Sequence, residues 1–209
     1  ESVLKESHRL DLRNSTGLTV LETAVKNDFL EGVETLLSCG ANATMINQST
    51  GQNAFHVAAH YASRSTLVAL MVHAEFPTLT EKIVSTKERL RLTHHHLKTV
   101  QEHLKLAREQ LVVLESPLVE DTKDTREEPI PDYDAKMSQL QEGHAQLLAK
   151  HHIFELGQFL TIKDNEGRTP ALLAQSNTQL TPDLFDATQL TGLYGTAIIS
   201  RYLALLQSE

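Results

Sequence analysis

The chain has 209 residues, of which 40% are hydrophobic and 22% charged, and it carries a formal net charge of −8. That mix suits one ordinary globular domain, or one and a half, and excludes disordered and collagen-like classes. The acidic balance argues against a nucleic-acid partner, because neutralising phosphates requires a basic face. Residues 115–134 hold eight acidic side chains against Lys123 and Arg126, so −6 of the −8 sits in that one stretch.

A single cysteine, Cys39, leaves no internal disulfide and fits a reducing cytoplasm. No run approaches the ~20 apolar residues that a bilayer span needs, so no membrane insertion is expected. The chain opens with Glu1 rather than Met, which reads as a piece of a larger protein. Asn14-Ser15-Thr16, Asn42-Ala43-Thr44 and Asn47-Gln48-Ser49 match the N-glycosylation pattern; beside a lone thiol they read as chance matches.

Self-comparison shows a repeat. Gly17-Leu-Thr-Val-Leu-Glu-Thr-Ala-Val25 lies over Gly51-Gln-Asn-Ala-Phe-His-Val-Ala-Ala59, 34 residues later, and a third copy runs Gly167-Arg-Thr-Pro-Ala-Leu-Leu-Ala174. Each copy opens on a glycine suited to a tight turn. In two of them a Thr follows at +2, placed to cap a helix, and Pro170 takes a first-turn position that needs no N–H. Val33-Glu-Thr-Leu36-Leu37-Ser-Cys-Gly40-Ala41 closes the first copy. The second copy keeps Leu67, Leu70 and Met71 in the same role.

These segments resemble the ankyrin-repeat family, whose pattern opens G-x-T-P-L-H-x-A-A and closes V-x-x-L-L-x-x-G-A about sixteen residues on. The copies depart from it in having Glu22 and Leu172 in the His slot filled by His56, and Val20 in place of Pro. The resemblance implies an all-α solenoid of stacked helix pairs. In it small residues (Ala24, Ala58, Ala59, Ala174) line inner helices and Leu36, Leu37, Leu70 and Met71 line outer ones.

In chain order, the spacing places Leu4 at the end of a truncated outer helix, with residues 8–16 as a finger. Two helix pairs follow up to residue 78, with a second finger from Asn42 to Thr50. From Gly51 to Gly167 is 116 residues, far from a multiple of about 33. Ile83, Leu90, Leu97, Leu104 and Leu111 recur every seven residues, with Thr86, Thr93, Val100, Ala107 and Leu114 three positions on. That is a heptad seam on a helix of about 79–114, some ~50 Å long at ~1.5 Å per residue. A second helix, about 134–156, carries Met137, Leu140, His144, Leu147, His151 and Phe154, after an acidic, proline-containing flexible loop over 115–134.

The expected fold is therefore all-α, an ankyrin-repeat solenoid with an inserted antiparallel, coiled-coil-like helical hairpin. Its parts are repeats over 1–78, the hairpin over 79–156, and a divergent repeat with a capping helix over 157–209. Counting back from Gly167 puts the end of the second hairpin helix at Gly157 with Ile153 and Phe154 as its closing apolar pair. The hairpin then reads as one repeat unit with lengthened helices, in preference to two degenerate units fused. Thr181-Pro182 reads as a capped helix start, and a last helix covers about 195–207.

The side chains suggest little chemistry. Of eleven histidines, His94, His95, His96, His103, His144, His151 and His152 fall on the hairpin. No carboxylate or Cys completes a zinc set, and solvated imidazoles are the favoured reading over a metal site or a pH-sensitive interface. Cys39 and His56 lack a third, orienting member of a nucleophilic group. No nucleophile elbow, phosphate loop or metalloprotease motif is present. No catalytic residue, cofactor or metal is expected.

What the resemblance implies instead is a protein partner docked on finger tips and inner-helix ends. Carried over position by position, these are Ser15, Thr16, Leu18, Lys26 and Asn27 in the first copy. The second gives Ser49, Thr50, Gln52, His60 and Tyr61, and the third Asn165, Glu166 and Arg168, followed by Ser176 and Asn177. Tyr61 is the expected anchor. His56 is expected to tie one finger to the next. The hairpin seam offers self-association as a further expectation. The alternative function is substrate recruitment for a larger enzyme, or for a bacterial protein exported into a host cytosol.

Overall fold

The computed structural model describes residues 10–114 and 132–208. The sequence expectations for Leu4, for the start of the first finger and for residues 115–131 lie outside them. Among the described residues the chain is all-helical, with eight α-helices, two short 3-10 helices and no strand beyond one bridge between Arg13 and Thr19. The α-helices are α1 (Val20–Lys26), α2 (Leu30–Ser38), α3 (Ala54–Tyr61), α4 (Arg64–His73), α5 (Pro77–Leu114), α6 (Tyr133–Leu160), α7 (Pro170–Leu173) and α8 (Leu190–Gln207). They form two compact units, one made of residues 84–144 and the other of the remainder.

Three of the helices in the larger unit start alike. Thr19, Asn53 and Thr169, at equivalent positions in the three copies, are the N-caps of α1, α3 and α7. Each accepts the backbone N–H three residues on, at 3.1, 3.2 and 3.4 Å. In α1 and α3 that third residue bonds back, Glu22 accepting from the Thr19 N–H at 2.8 Å and the His56 Nδ1 from the Asn53 N–H at 3.3 Å. Glu22 and His56, different residues at equivalent positions, therefore share one capping task. Leu172 cannot perform it, and α7 lasts four residues before tightening into a 3-10 turn over Ala174–Ser176.

Helices α1, α3 and α7 form one layer and α2, α4 and α8 the other, with α1 on α3, α3 on α7, α2 on α4 and α4 on α8. The small residues Ala58, Ala59 and Ala174 are fully buried and let the short helices approach closely. Leu37, Leu67, Leu70 and Met71 fill the space between layers, each contributing about 2 kcal/mol by leaving water.

In sequence the long helices fall between the second and third copies, yet those two copies pack directly on each other. The second and third fingers hydrogen-bond directly, and α3 and α4 pack straight onto α7 and α8. The reading of the hairpin as a lengthened repeat is thus replaced. Its proximal part belongs to the larger unit, where α5 and α6 run antiparallel, with Thr78 donating to Glu155 at 2.9 Å and the Lys82 Nζ 3.2 Å from His151.

The buried set on α6 there is Ala145, Leu148, Ala149, His152, Leu156 and Leu160, whereas Phe154 is 63% exposed and Leu147 54%. Helix α6 also continues through Gly157, whose missing Cβ would sit 3.6 Å from Ala187 and 3.9 Å from Leu190. The seam and the turn counted from sequence are both displaced. His152, expected in solvent, is fully buried: its Nε2–H donates to the Met71 carbonyl at 2.9 Å and its Nδ1 accepts from the Tyr202 hydroxyl at 2.8 Å. Phe76 meets the same ring edge-on, with centroids 5.0 Å apart, and stacks on Phe159.

In the smaller unit Leu90 and Met137 are buried, Thr86, Thr93 and Leu97 half-buried, and Val100 and Leu104 exposed. The start of α6 lies beside Leu97, Lys98 and Gln101 of α5, and residues 102–110 are exposed throughout. At the C-terminus Pro182–Phe185 is a 3-10 helix without a side-chain cap from Thr181, and α8 starts at Leu190 rather than near 195.

Candidate functional site

Each finger closes around one Asx residue. The Asn14, Asn47 and Asp164 carboxamide or carboxylate oxygens accept the backbone N–H two residues on, at 2.9, 2.9 and 3.0 Å. Their carbonyls accept the N–H of Gly17, Gly51 and Gly167, all at positive φ. In the first and third fingers that glycine is three residues on and in the second it is four, so the 34-residue spacing contains one extra finger residue.

The fingers are stapled to one another. The Asn47 Nδ2 donates to the Gly17 carbonyl at 2.8 Å. Asn165 donates its backbone N–H to the Thr50 carbonyl and its Nδ2 to the Ser49 carbonyl, each at 2.9 Å. The Gln52 Nε2 donates to Asp164 at 3.3 Å, and Arg168 grips the same Asp164 oxygen through two nitrogens. The Arg168 bonds hold the Asp164 carboxyl down to about 2 against the opposing effect of burial. A second line of staples joins the inner-to-outer loops, with Asp28 accepting from the Ser63 N–H at 2.9 Å and Asn177 donating to the Ala62 carbonyl at 3.0 Å.

These bonds sort the residues expected to meet a partner. Gln52 and Asn165 spend their polar groups on the neighbouring finger, and Arg168 spends its own on Asp164 and Glu166 within the third finger, so their first task is to hold the surface. Leu18 is half-buried. Ser15, Thr16, Ser49, Thr50 and Glu166 lie exposed at the tips, with the Thr16 hydroxyl turned back to Asn14 at 2.7 Å and Glu166 paired to Arg168 at 2.8 Å.

Lys26, Asn27, His60 and Tyr61 form a row along the inner-helix ends. The Lys26 ammonium stands 5.4 Å from the centroid of the Tyr61 ring, which packs beside His60 at 5.4 Å, and the His60 Nδ1 lies 3.4 Å from the Ser176 hydroxyl. Tyr61 is 53% exposed. The row therefore crosses all three copies.

Two other surfaces were not anticipated. An open groove of about 810 Å³ lies along α1 and α2, walled by Leu12, Leu18, Val20, Phe29 and Leu36. Its signal in the sequence is apolar Leu18 and Val20 where the second copy has Gln52 and Ala54. A shallower one of about 830 Å³ crosses α2, α4 and α8 between Leu30, Val68, Val72 and Ala197.

Reactive constellations are not assembled among the described residues. Cys39 is exposed at the end of α2, and His56 is buried in α3, where burial pushes its pKa down against the backbone of Arg168 and Ile162. No three His, Cys, Asp or Glu side chains converge on a point that would hold a metal ion, among the described residues. No helix there is long and apolar enough to cross a membrane. No family model matches the chain, and no curated protein or solved structure matches it either.

Proposed function

We propose that this chain is an ankyrin-type protein-recognition module, interrupted by a helical hairpin and without catalysis of its own. It takes hold of a cytoplasmic partner protein through its finger tips and the ends of α1 and α3. The observation that carries this reading is the solvent-facing row of Lys26, Asn27, His60 and Tyr61. It stands on a backbone fixed from both sides by hydrogen bonds between units. Side chains held in place by their neighbours lose little freedom on binding, and an exposed tyrosine offers a large contact area for few torsions.

Tyr61→Ala in combination with His60→Ala is the direct test. Neither side chain caps a helix or fills the core, so the melting temperature is expected to move by no more than about 2 °C. The amount of partner recovered by affinity capture and quantitative mass spectrometry is expected to fall at least tenfold. Recovery that survives this change but is lost when residues 84–144 are removed would assign recognition to the hairpin.

A further inference from the structure

The charge around the Lys26 row identifies the chemistry of the partner, given the recognition surface proposed above. Several carboxylates of the fingers and of the inner-to-outer loops have partners of their own. Asp28 accepts from the Ser63 N–H, Glu22 from Thr19 and Arg13, and Asp164 from Arg168 and Gln52, while Glu166 pairs with Arg168. Lys26, in contrast, makes no ion pair among the described residues and rests its ammonium on the Tyr61 ring. Its position in the last turn of α1 suits a cation facing the partial negative end of a helix. His60, one unit along at the equivalent position, presents a half-exposed imidazole, and Asn27 an exposed amide.

We infer that this row selects an acidic, extended segment of the partner, with a carboxylate seated at Lys26 and Tyr61. A carboxylate placed there completes an ion pair for a cation that has none among the described residues and adds a charge-assisted hydrogen bond beside an aromatic face. An extended segment fits because the row runs from one helix end to the next, a step of ~8–10 Å between packed helices. A polyproline-like chain covers that step in about three residues at ~3.1 Å each. The favoured pattern therefore has acidic residues three apart, one at Lys26 and one at His60.

The test is selection of a random twelve-residue phage-displayed peptide library on the whole chain, run in parallel on wild type, Lys26→Glu and Tyr61→Ala. Lys26 and Tyr61 are both exposed, so these variants keep the fold, which circular dichroism verifies. Wild-type clones are expected to be enriched in Asp and Glu at least threefold over the unselected library. Lys26→Glu is expected to bind those clones at least tenfold more weakly and to select Lys and Arg instead. Neutral or basic wild-type clones, or acidic ones indifferent to Lys26→Glu, overturn the inference. If such clones still require Tyr61, the recognition surface stands and only its acid selectivity falls. Clones indifferent to Tyr61→Ala, or no clones above background, overturn both.

Discussion

Two glycines with the same backbone conformation show how local strain and packing separate. Gly51 and Gly167 both close fingers at positive φ, +74° and +78°. A Cβ on Gly51 would lie 2.6 Å from the Asn165 Oδ1 and 2.7 Å from the Asn165 backbone nitrogen, whereas one on Gly167 meets nothing within 4 Å. Alanine at either site incurs the left-handed penalty of about 1 kcal/mol. At Gly51 it must also push the third finger away and disturb both Asn165 bonds, for a total of about 3 kcal/mol. Urea denaturation of Gly51→Ala and Gly167→Ala checks this, and equal losses would mean that the second and third fingers do not press together as described.

His152 is the other residue whose setting decides its behaviour. Burial pushes its pKa from 6.5 to about 4, with further repulsion from Arg201 and His73. The unfolded chain takes up a proton near pH 6.5 and the native one resists it until about pH 4. The stability that depends on this group is therefore whole above pH 6.5 and drains away as the pH falls towards 4, by about 3 kcal/mol at the end of that window. His152→Gln retains a donor for the Met71 carbonyl and has no proton to gain. The difference in unfolding free energy between wild type and His152→Gln is expected to shift in favour of the variant as the pH falls from 7.5 to 4.5. A pH-independent difference would show that the ring is not buried.

At the scale of elements, the glycine turns and helix caps of the repeat copies were legible, while register, neighbours and the start of α8 were not. Thr19 and Thr169 cap the helices that their spacing predicts, because capping is settled within three residues of chain. The Asn-x-Ser/Thr triplets were visible too, but their meaning was not. Each is an Asx turn, with Asn14, Asn42 and Asn47 accepting from the residue two on, and the Asn47 amide is already committed to the Gly17 carbonyl. Counting sevens on α6 misplaced its buried face because a heptad assumes a single partner helix. The proximal part of α6 answers instead to α4 and α8 through His152, and to Ala187 and Leu190 at Gly157, so its contacts fall at 148, 152 and 156. Spacing alone also could not distinguish an insert between units from a lengthened unit. Only the bonds from Asn165 to Ser49 and Thr50, 116 and 115 residues apart in sequence, settle that. The pairing of Lys26 with Tyr61 was equally hidden, since it joins neighbouring positions of successive copies.

For the molecule as a whole, the consequence is that the two compact units differ in how much core each holds by itself. The larger one holds its own core, from Leu21 and Val33 through Phe55, Leu70 and Met71 to Leu190 and Tyr202. It also retains the root of the hairpin, where Phe76, Leu79, Leu148, Leu156 and His152 are buried. The smaller one, residues 84–144, buries Leu90 and Met137 but leaves Leu92, Val100, Leu104, Leu106 and Leu140 exposed. Replacing 84–144 by a short Gly–Ser turn therefore removes helix without opening the principal core. The shortened protein is expected to lose helical circular dichroism in proportion to the residues removed, yet still to unfold in one cooperative step with a midpoint within about 5 °C of the whole chain, a shift that corresponds to roughly 1–2 kcal/mol for a domain of this size. It is also expected to keep the finger bonds, read as slow amide exchange at Asn47 and Gly51, whose N–H groups bond within the second finger, and at Asn165, whose N–H crosses to Thr50. A broad, non-cooperative transition, or rapid exchange at those three amides, would show that the distal hairpin supports the stack, and recognition by the finger side could then no longer be separated from it.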